Sequence, residues 1–117
     1  ILLDGAHSNA SGKNLYNYLK TLKQPIYCIW GMQKNKFPSD FLKNFKGIFK
    51  KVITVKIPNE KNACSAENLK SIAAKQEYSA EKASNYKEAL KKLTSGKPKV
   101  ICFLGSLYFI GSVLKEN

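Results

Sequence analysis

The alternation of apolar runs with segments of helical periodicity is the feature that most constrains how this chain can fold. Apolar runs occupy residues 1–4 (ILLD), 26–31 (IYCIWG), 52–57 (VITVKI) and 100–104 (VICFL). Helical periodicity occupies residues 8–22, a segment beginning at Pro38, and residues 65–76, 80–93 and 107–114. Strands joined by helices imply crossover connections and a mainly parallel sheet with helices on both faces. We therefore predict one α/β domain, a Rossmann-like three-layer architecture.

The predicted order of the strands places two short motifs together. In the usual winding of such sheets the first strand lies beside the fourth, and the chain runs outward in opposite directions from there. Ligands then bind beyond the carboxyl ends of the strands at that point. The segments that follow these two strands are DGAH, residues 4–7, and GSLY, residues 105–108. The sequence therefore predicts a ligand site built from these two turns.

Four residues of these turns have side chains or backbones suited to binding, and each has a simpler structural explanation. The Asp4 carboxylate could accept hydrogen bonds from ribose hydroxyls or help hold a metal, but Asp-Gly also forms turns by itself. His7 could orient a carboxylate or transfer a proton, or could merely mark a helix entry. Gly105 would let a ligand approach the backbone, and Ser106 could receive a carboxylate or phosphate, or only cap its own helix.

The loop after the second predicted strand, residues 31–36 (GMQKNK), offers Lys34 or Lys36 to an anion at the same edge. The segment Gly12-Lys13-Asn14 looks like part of a P-loop, but Asn14 replaces the Ser or Thr that would bind magnesium. If the protein uses ATP, another domain must therefore hold the triphosphate.

The formal net charge of +12 raises the question of nucleic-acid binding. All 20 basic residues are Lys, spread over the whole chain. Base recognition relies on the bidentate arginine fork, so the charge is better explained as a solvated surface that attracts anionic small molecules. We predict no nucleic-acid partner.

The remaining composition points to a cytoplasmic protein. The three cysteines are an odd number without zinc-like spacing, which favours reduced core thiols over disulfides or a metal site. No apolar run is long enough to cross a membrane, and no secretory signal precedes the first strand. Because the chain opens with Ile1 inside an apolar run and without Met, we interpret it as a fragment that lacks its N-terminal portion.

Three motifs resemble a known family, and together they span essentially the whole chain. LLDGAH resembles the LDGAHNP signature that opens the C-terminal domain of folylpolyglutamate and dihydrofolate synthases, which belong to the Mur ligase superfamily. FLGSLYFIGSVL resembles the TGSLYLVGEVL-like ending of that domain, and IWGMQKNKF resembles its GMLKDKD-like loop. The resemblance implies that residues 1–117 are a Mur ligase-type C-terminal domain.

The resemblance also implies a reaction. ATP phosphorylates a carboxylate of a folate or dihydropteroate, and the amine of L-glutamate then attacks the acyl phosphate to form an amide. Mainly the absent N-terminal domain would hold ATP and magnesium, so no catalytic residue or metal ligand is expected in this domain alone. We accordingly expect an ATP-dependent acid–amino-acid ligase in the complete protein and no activity from the isolated domain.

Residue roles follow by position in the matched motifs. Asp4 would contact the ribose of ATP, and His7 would lie between the nucleotide and glutamate sites. Ser106 would bind a glutamate carboxylate, and Lys36 matches the lysine of the middle loop. The match has departures, because Ser8-Asn9 stands where the family usually has Asn-Pro, and residues 35 and 37 are Asn and Phe where the family has acidic residues.

Two alternatives remain open from the sequence. One is the equivalent domain of a peptidoglycan-precursor Mur ligase, which the GSLY motif disfavours. The other is a non-catalytic Rossmann-like module that binds a nucleotide or nucleic acid, which steeply salt-dependent binding would reveal.

Overall fold

The computed structural model describes residues 2–3, 9–93 and 99–105, with side chains from residue 12 onward. The strands in these ranges are β1 (Leu2–Leu3), β2 (Ile26–Gly31), β3 (Phe49–Thr54), β4 (Ala80–Lys82) and β5 (Val100–Gly105). The α-helices are α1 (Asn9–Leu19), α2 (Pro38–Lys43), α3 (Ala66–Lys75) and α4 (Tyr86–Leu93), with a 3₁₀ turn at Lys34–Lys36.

The five strands form one sheet in the order β1-β5-β2-β3-β4, and every pair of neighbours is parallel. Leu3 of β1 is in register with Phe103 of β5, and Gly31 of β2 is in register with Gly105 of β5. The predicted α/β class and mainly parallel sheet are therefore confirmed.

The winding of the sheet corrects one part of the sequence prediction. The first and last strands are neighbours, as predicted, but the chain does not run outward from them in opposite directions. β5 instead inserts between β1 and β2, which leaves β1 at the edge. Strand order depends on how the connections cross the sheet and on which distant segments pair. Local periodicity does not carry that information.

The core has two layers, one on each face of the sheet. Helices α1, α2 and α3 pack on one face, where Cys28 and Trp30 of β2 contribute to the core. Helix α4 packs on the other face with Ile29 of β2 and Phe103 of β5. Alternate residues of one strand face opposite layers, so β2 is apolar throughout and nearly all of it is buried. The sheet and the helices on its two faces make three layers, which confirms the predicted three-layer architecture.

The apolar stripes predicted for the helices are mostly buried. Those buried are Leu15, Leu19, Phe41, Phe45, Leu69, Ala73, Ala83, Tyr86 and Leu93. The bounds of α3 agree with the predicted residues 65–76 to within one residue. Ser65 lies just before the helix, and its Oγ accepts a hydrogen bond from the Asn68 amide at 3.0 Å.

The predicted helix at residues 80–93 is wrong in its first part. Residues Ala80–Lys82 form β4, which pairs with β3, and helix α4 begins only at Tyr86. Asn85 caps α4, because its Oδ1 accepts a hydrogen bond from the Glu88 amide at 2.9 Å. Pairing with the edge of β3 outweighed the helical propensity of the Ala-Glu-Lys segment.

Other bounds also shift. Strand β3 is Phe49–Thr54 rather than residues 52–57. Its beginning was missed because Lys50 and Lys51 interrupt the apolar pattern there. Helix α1 ends at Leu19 rather than at residue 22, and the predicted loop after β2 contains a 3₁₀ turn. The predicted helix at residues 107–114 lies outside the described residues.

The three cysteines are buried and form no disulfide, as predicted. Burial raises the pKa of the Cys28 thiol well above its ordinary value, so this thiol stays protonated near neutrality. Within the described ranges, no helix combines the length and apolarity needed to cross a membrane.

Candidate functional site

The carboxyl ends of three neighbouring strands lie at one edge of the sheet, which we call the carboxyl edge. β5 lies between β1 and β2, and all three run parallel. The sequence places Asp4 directly after β1 and Ser106 directly after β5. Asp4, His7 and Ser106 themselves lie outside the described residues. Among the four residues to which the family resemblance gives a role, Lys36 is therefore the one whose surroundings the structure describes.

Gly105, the last residue of β5, has a backbone conformation that residues with a side chain rarely adopt. Its φ is +136°, and a Cβ placed on it would lie 1.5 Å from the carbonyl oxygen of Gly31. Such an approach is far inside van der Waals contact, so only glycine fits here. The backbones of β2 and β5 therefore meet without side chains between them at the point where the chain enters the GSLY segment.

The loop that carries Lys36 is held by a distant segment, residues 62–64. The Lys34 amide donates to the Asn62 carbonyl at 2.7 Å, and the Cys64 amide donates to the Met32 carbonyl at 2.9 Å. Gln33 forms an antiparallel bridge with Ala63 and is buried. These contacts fix the path of the loop where it leaves the sheet.

Lys36 ends the 3₁₀ turn and is partly exposed, whereas Lys34 is exposed. The Lys36 amide closes the turn by donating to the Gln33 carbonyl at 3.2 Å. Burial raises the pKa of the Cys64 thiol, while the positive charge of Lys34 acts in the opposite direction. Because the turn Lys34–Lys36 comes after β2, both lysines lie at the carboxyl edge. A cation at this place can attract a carboxylate.

Phe37 is a feature of this loop that the sequence reasoning did not assign to the site. Its side chain is 71% exposed, and its φ of 53° is unusual for an aromatic residue. The Phe37 carbonyl accepts a hydrogen bond from the Phe41 amide at 3.0 Å, so the residue begins α2. The sequence contained one signal for it, because Phe37 stands where the family has an acidic residue.

Trp30, one residue before the end of β2, is a second feature the sequence did not indicate. Its side chain is fully buried, and its Nε1 has no hydrogen-bond partner in the described part of the chain. The same part of the chain contains no group of three His, Cys, Asp or Glu side chains that could hold a metal.

Comparison with known families supports the resemblance seen in the motifs. Residues 1–116 match the family described as the C-terminal domain of dihydrofolate synthetase. No curated protein sequence matches the chain significantly.

Solved structures share the fold. A folylpolyglutamate synthase from Thermotoga maritima is 25% identical, with a TM-score of 0.80 over 96% of this chain and 26% of that one. A Mycobacterium tuberculosis folylpolyglutamate synthase, complexed with ADP and AMPPCP, is 19% identical, with a TM-score of 0.87 over 97% of this chain and 28% of that one. A bifunctional folylpolyglutamate synthase/dihydrofolate synthase from Yersinia pestis, complexed with AMPPNP and Mn ion, is 19% identical, with a TM-score of 0.82 and the same coverage.

The chain thus spans about a quarter of the length of these relatives. The parallel sheet, the glycine contact at its carboxyl edge and the match over residues 1–116 agree with one another. The chain belongs to the family of dihydrofolate synthetase C-terminal domains.

Proposed function

We propose that this chain is the C-terminal domain of an ATP-dependent ligase that joins L-glutamate to the carboxylate of a folate or dihydropteroate. The observation that carries the proposal is the shared carboxyl edge of β1, β5 and β2 in a chain whose family match covers residues 1–116. DGAH, GSLY and the Lys36 loop follow these three strands in the sequence. The edge of a parallel sheet is also where α/β domains bind ligands.

Within the proposal, Asp4 and His7 contact the nucleotide, and His7, Lys36 and Ser106 bind the incoming glutamate. Support for Lys36 comes from its place on a turn fixed by residues 62–64. Support for Asp4 and Ser106 comes from the parallel pairing of the strands they follow. The Lys36 ammonium and the Ser106 hydroxyl would orient the carboxylates of glutamate. The amine of glutamate would then be free to attack the activated acyl group.

ATP and a divalent metal would be held mainly by an N-terminal domain of the longer protein. The absence of a complete P-loop motif from the sequence supports this division. Relatives complexed with ADP, AMPPCP, or AMPPNP and Mn ion support nucleotide and metal use by the whole protein. We also propose a cytoplasmic location, which suits three cysteines that form no disulfide.

The family match does not favour a peptidoglycan-precursor ligase, since the matched family is that of dihydrofolate synthetase. The match likewise supports a ligase domain over a non-catalytic binding module.

A substitution at Ser106 tests the glutamate role in the longer protein. Ser106→Ala removes a hydrogen bond to a charged carboxylate, which is worth roughly 1.5–3 kcal/mol, so the KM for glutamate should rise about ten- to a hundredfold. The KM for ATP should change little. Ser71→Ala is the matched control, because Ser71 is exposed on α3, far along the chain from the proposed site. If Ser106→Ala leaves both kcat and the glutamate KM at the control values, Ser106 does not bind glutamate.

A further inference from the structure

A second concave surface lies at the opposite edge of the sheet, where the strands begin. It is a cavity of about 320 Å³ between the end of α1 and the first residues of β2 and β3. Leu19 and Ile26 form its buried floor. Its volume is at the small end of the range for sites that bind small molecules.

Three lysines surround this cavity, and we call them the lysine cradle: Lys20 at the end of α1, Lys46 in the turn after α2, and Lys50 in β3. All three are exposed, and none of the described residues that line the cavity is acidic. In the described part of the chain, lysines that form ion pairs with carboxylates include Lys43, Lys51, Lys82 and Lys92, and none of these pairs involves a lysine of the cradle. The cradle therefore concentrates positive charge without a counter-charge from the residues that the structure describes.

Two of these ammonium groups share one aromatic ring. The Nζ atoms of Lys20 and Lys46 lie 5.6 Å and 5.4 Å from the centre of the Tyr16 ring. A ring face attracts cations, so Tyr16 draws both side chains to the rim of the cavity. This arrangement lowers the conformational freedom that each lysine would lose on binding an anion.

The turn that carries Lys46 is anchored to the core. Lys46 and Gly47 both have positive φ, and the Gly47 amide donates to the Tyr78 hydroxyl at 2.9 Å. Tyr78 is buried, and burial raises its pKa to about 12, so the hydroxyl stays neutral. The position of Lys46 is thus set by the fold as well as by its own side chain.

We propose that the lysine cradle binds a small anion that carries two or more phosphate charges. Lysine ammoniums act as point charges that suit phosphate groups, and three of them around one cavity match an anion with several negative charges better than a single carboxylate. The cavity is too small to follow an extended nucleic-acid backbone, so a compact phosphorylated molecule fits best.

This site is separate from the proposed glutamate site. Strand β2 has six residues and spans about 20 Å from the cradle to the carboxyl edge. The cradle therefore does not depend on the proposed ligase function, and either proposal can fail without the other.

Pyrophosphate titration of the purified chain, followed by amide NMR shifts, tests the cradle. We expect saturable shifts concentrated at residues 16–26 and 46–50. Replacing Lys20, Lys46 and Lys50 by Gln should weaken binding about tenfold, since each exposed charge contact contributes a modest share. The control replaces Lys56, Lys61 and Lys75 by Gln, which lowers the net charge equally at exposed positions outside the cavity.

The control variant should bind pyrophosphate within about twofold of the unchanged chain, and both variants should keep the circular dichroism of the folded protein. Equal weakening in the two variants would mean that diffuse surface charge binds the anion, and would overturn the proposal. So would the absence of saturable shifts. An oligonucleotide that shifts the same amides at far lower concentration would reassign the surface to nucleic acid and also overturn it.

Discussion

At the scale of single residues, Gly105 shows how backbone geometry shapes the carboxyl edge. The sequence predicted a glycine there that lets a ligand approach the backbone. The structure adds another reason for this glycine, because the Gly31 carbonyl occupies the space that a side chain would need. No local pattern could predict this contact, since Gly31 and Gly105 belong to different strands that meet only in the folded sheet.

Gly105→Ala should destabilise the domain severely. The substitution combines a φ of +136° with a Cβ 1.5 Å from the Gly31 oxygen, so the strand ends must separate. Backbone strain and overpacking each cost roughly 1–3 kcal/mol, and we expect a loss of about 3 kcal/mol or more in the free energy of unfolding. Urea denaturation measures this loss.

Gly47→Ala is the control for Gly105→Ala. Gly47 also has a positive φ, of +77°, but a Cβ there would meet no atom within 4 Å. Its cost should therefore be about 1 kcal/mol, from backbone strain alone. Equal losses in the two variants would show that the contact with Gly31 does not control the end of β5.

At the scale of elements, the short edge strand β4 is stabilised by charges that come from other parts of the chain. Glu81 of β4 lies 2.9 Å from Lys51 of β3 and 2.6 Å from Lys92 of α4. Lys82 of β4 lies 3.0 Å from Glu67 of α3. These ion pairs add to the pairing with β3 that keeps this segment of helical composition extended.

The stability contributed by Glu81 should depend on pH. Hydrogen bonds from Lys92 and then Lys51 lower the pKa of the Glu81 carboxyl from 4.5 to about 2. The contribution is therefore complete above about pH 4.5 and is lost as the pH falls toward 2. Because the carboxylate is partly exposed and screened by water, Glu81→Gln should cost only about 1 kcal/mol at pH 7.

Urea denaturation at pH 7 and pH 2 measures this dependence. The difference in unfolding free energy between the unchanged chain and Glu81→Gln should shrink at the lower pH. Glu77→Gln serves as the control, since Glu77 is exposed and forms no ion pair in the described part of the chain. A difference that is the same at both pH values would contradict the ion-pair account of β4.

The elements that the sequence predicted well are those whose signals are local. Strand β2 is a continuous apolar run, and helix α3 has a capping serine and its own apolar stripe. Strand β4 and the start of β3 were missed because pairing and ion pairs across the fold define them. The insertion of β5 between β1 and β2 was missed for the same reason.

At the scale of the whole molecule, the two edges of the sheet have different chemistry. The carboxyl edge has a close backbone contact and Lys36 on a braced turn, while the opposite edge has the lysine cradle. The net charge of +12 alone indicated attraction of anions but no particular place for them. The cradle could not be predicted because Lys20, Lys46 and Lys50 become neighbours only in the folded sheet.

The candidate site at the carboxyl edge could be predicted further than the cradle, because short motifs mark it. DGAH and GSLY pointed to the family, and the family match over residues 1–116 bears this out. The structure adds that the strands before these motifs are parallel neighbours. The roles of Asp4, His7, Lys36 and Ser106 remain predictions.

The most direct test of the central claim is an assay for ADP and amide product with ATP, magnesium, L-glutamate, and dihydropteroate or a folate. We predict that the longer protein forms both products, because the proposal gives it the glutamate side of the site together with a triphosphate-binding domain. The 117-residue chain alone should form neither. Turnover by the chain alone, or a longer protein that does not incorporate glutamate, would contradict the account.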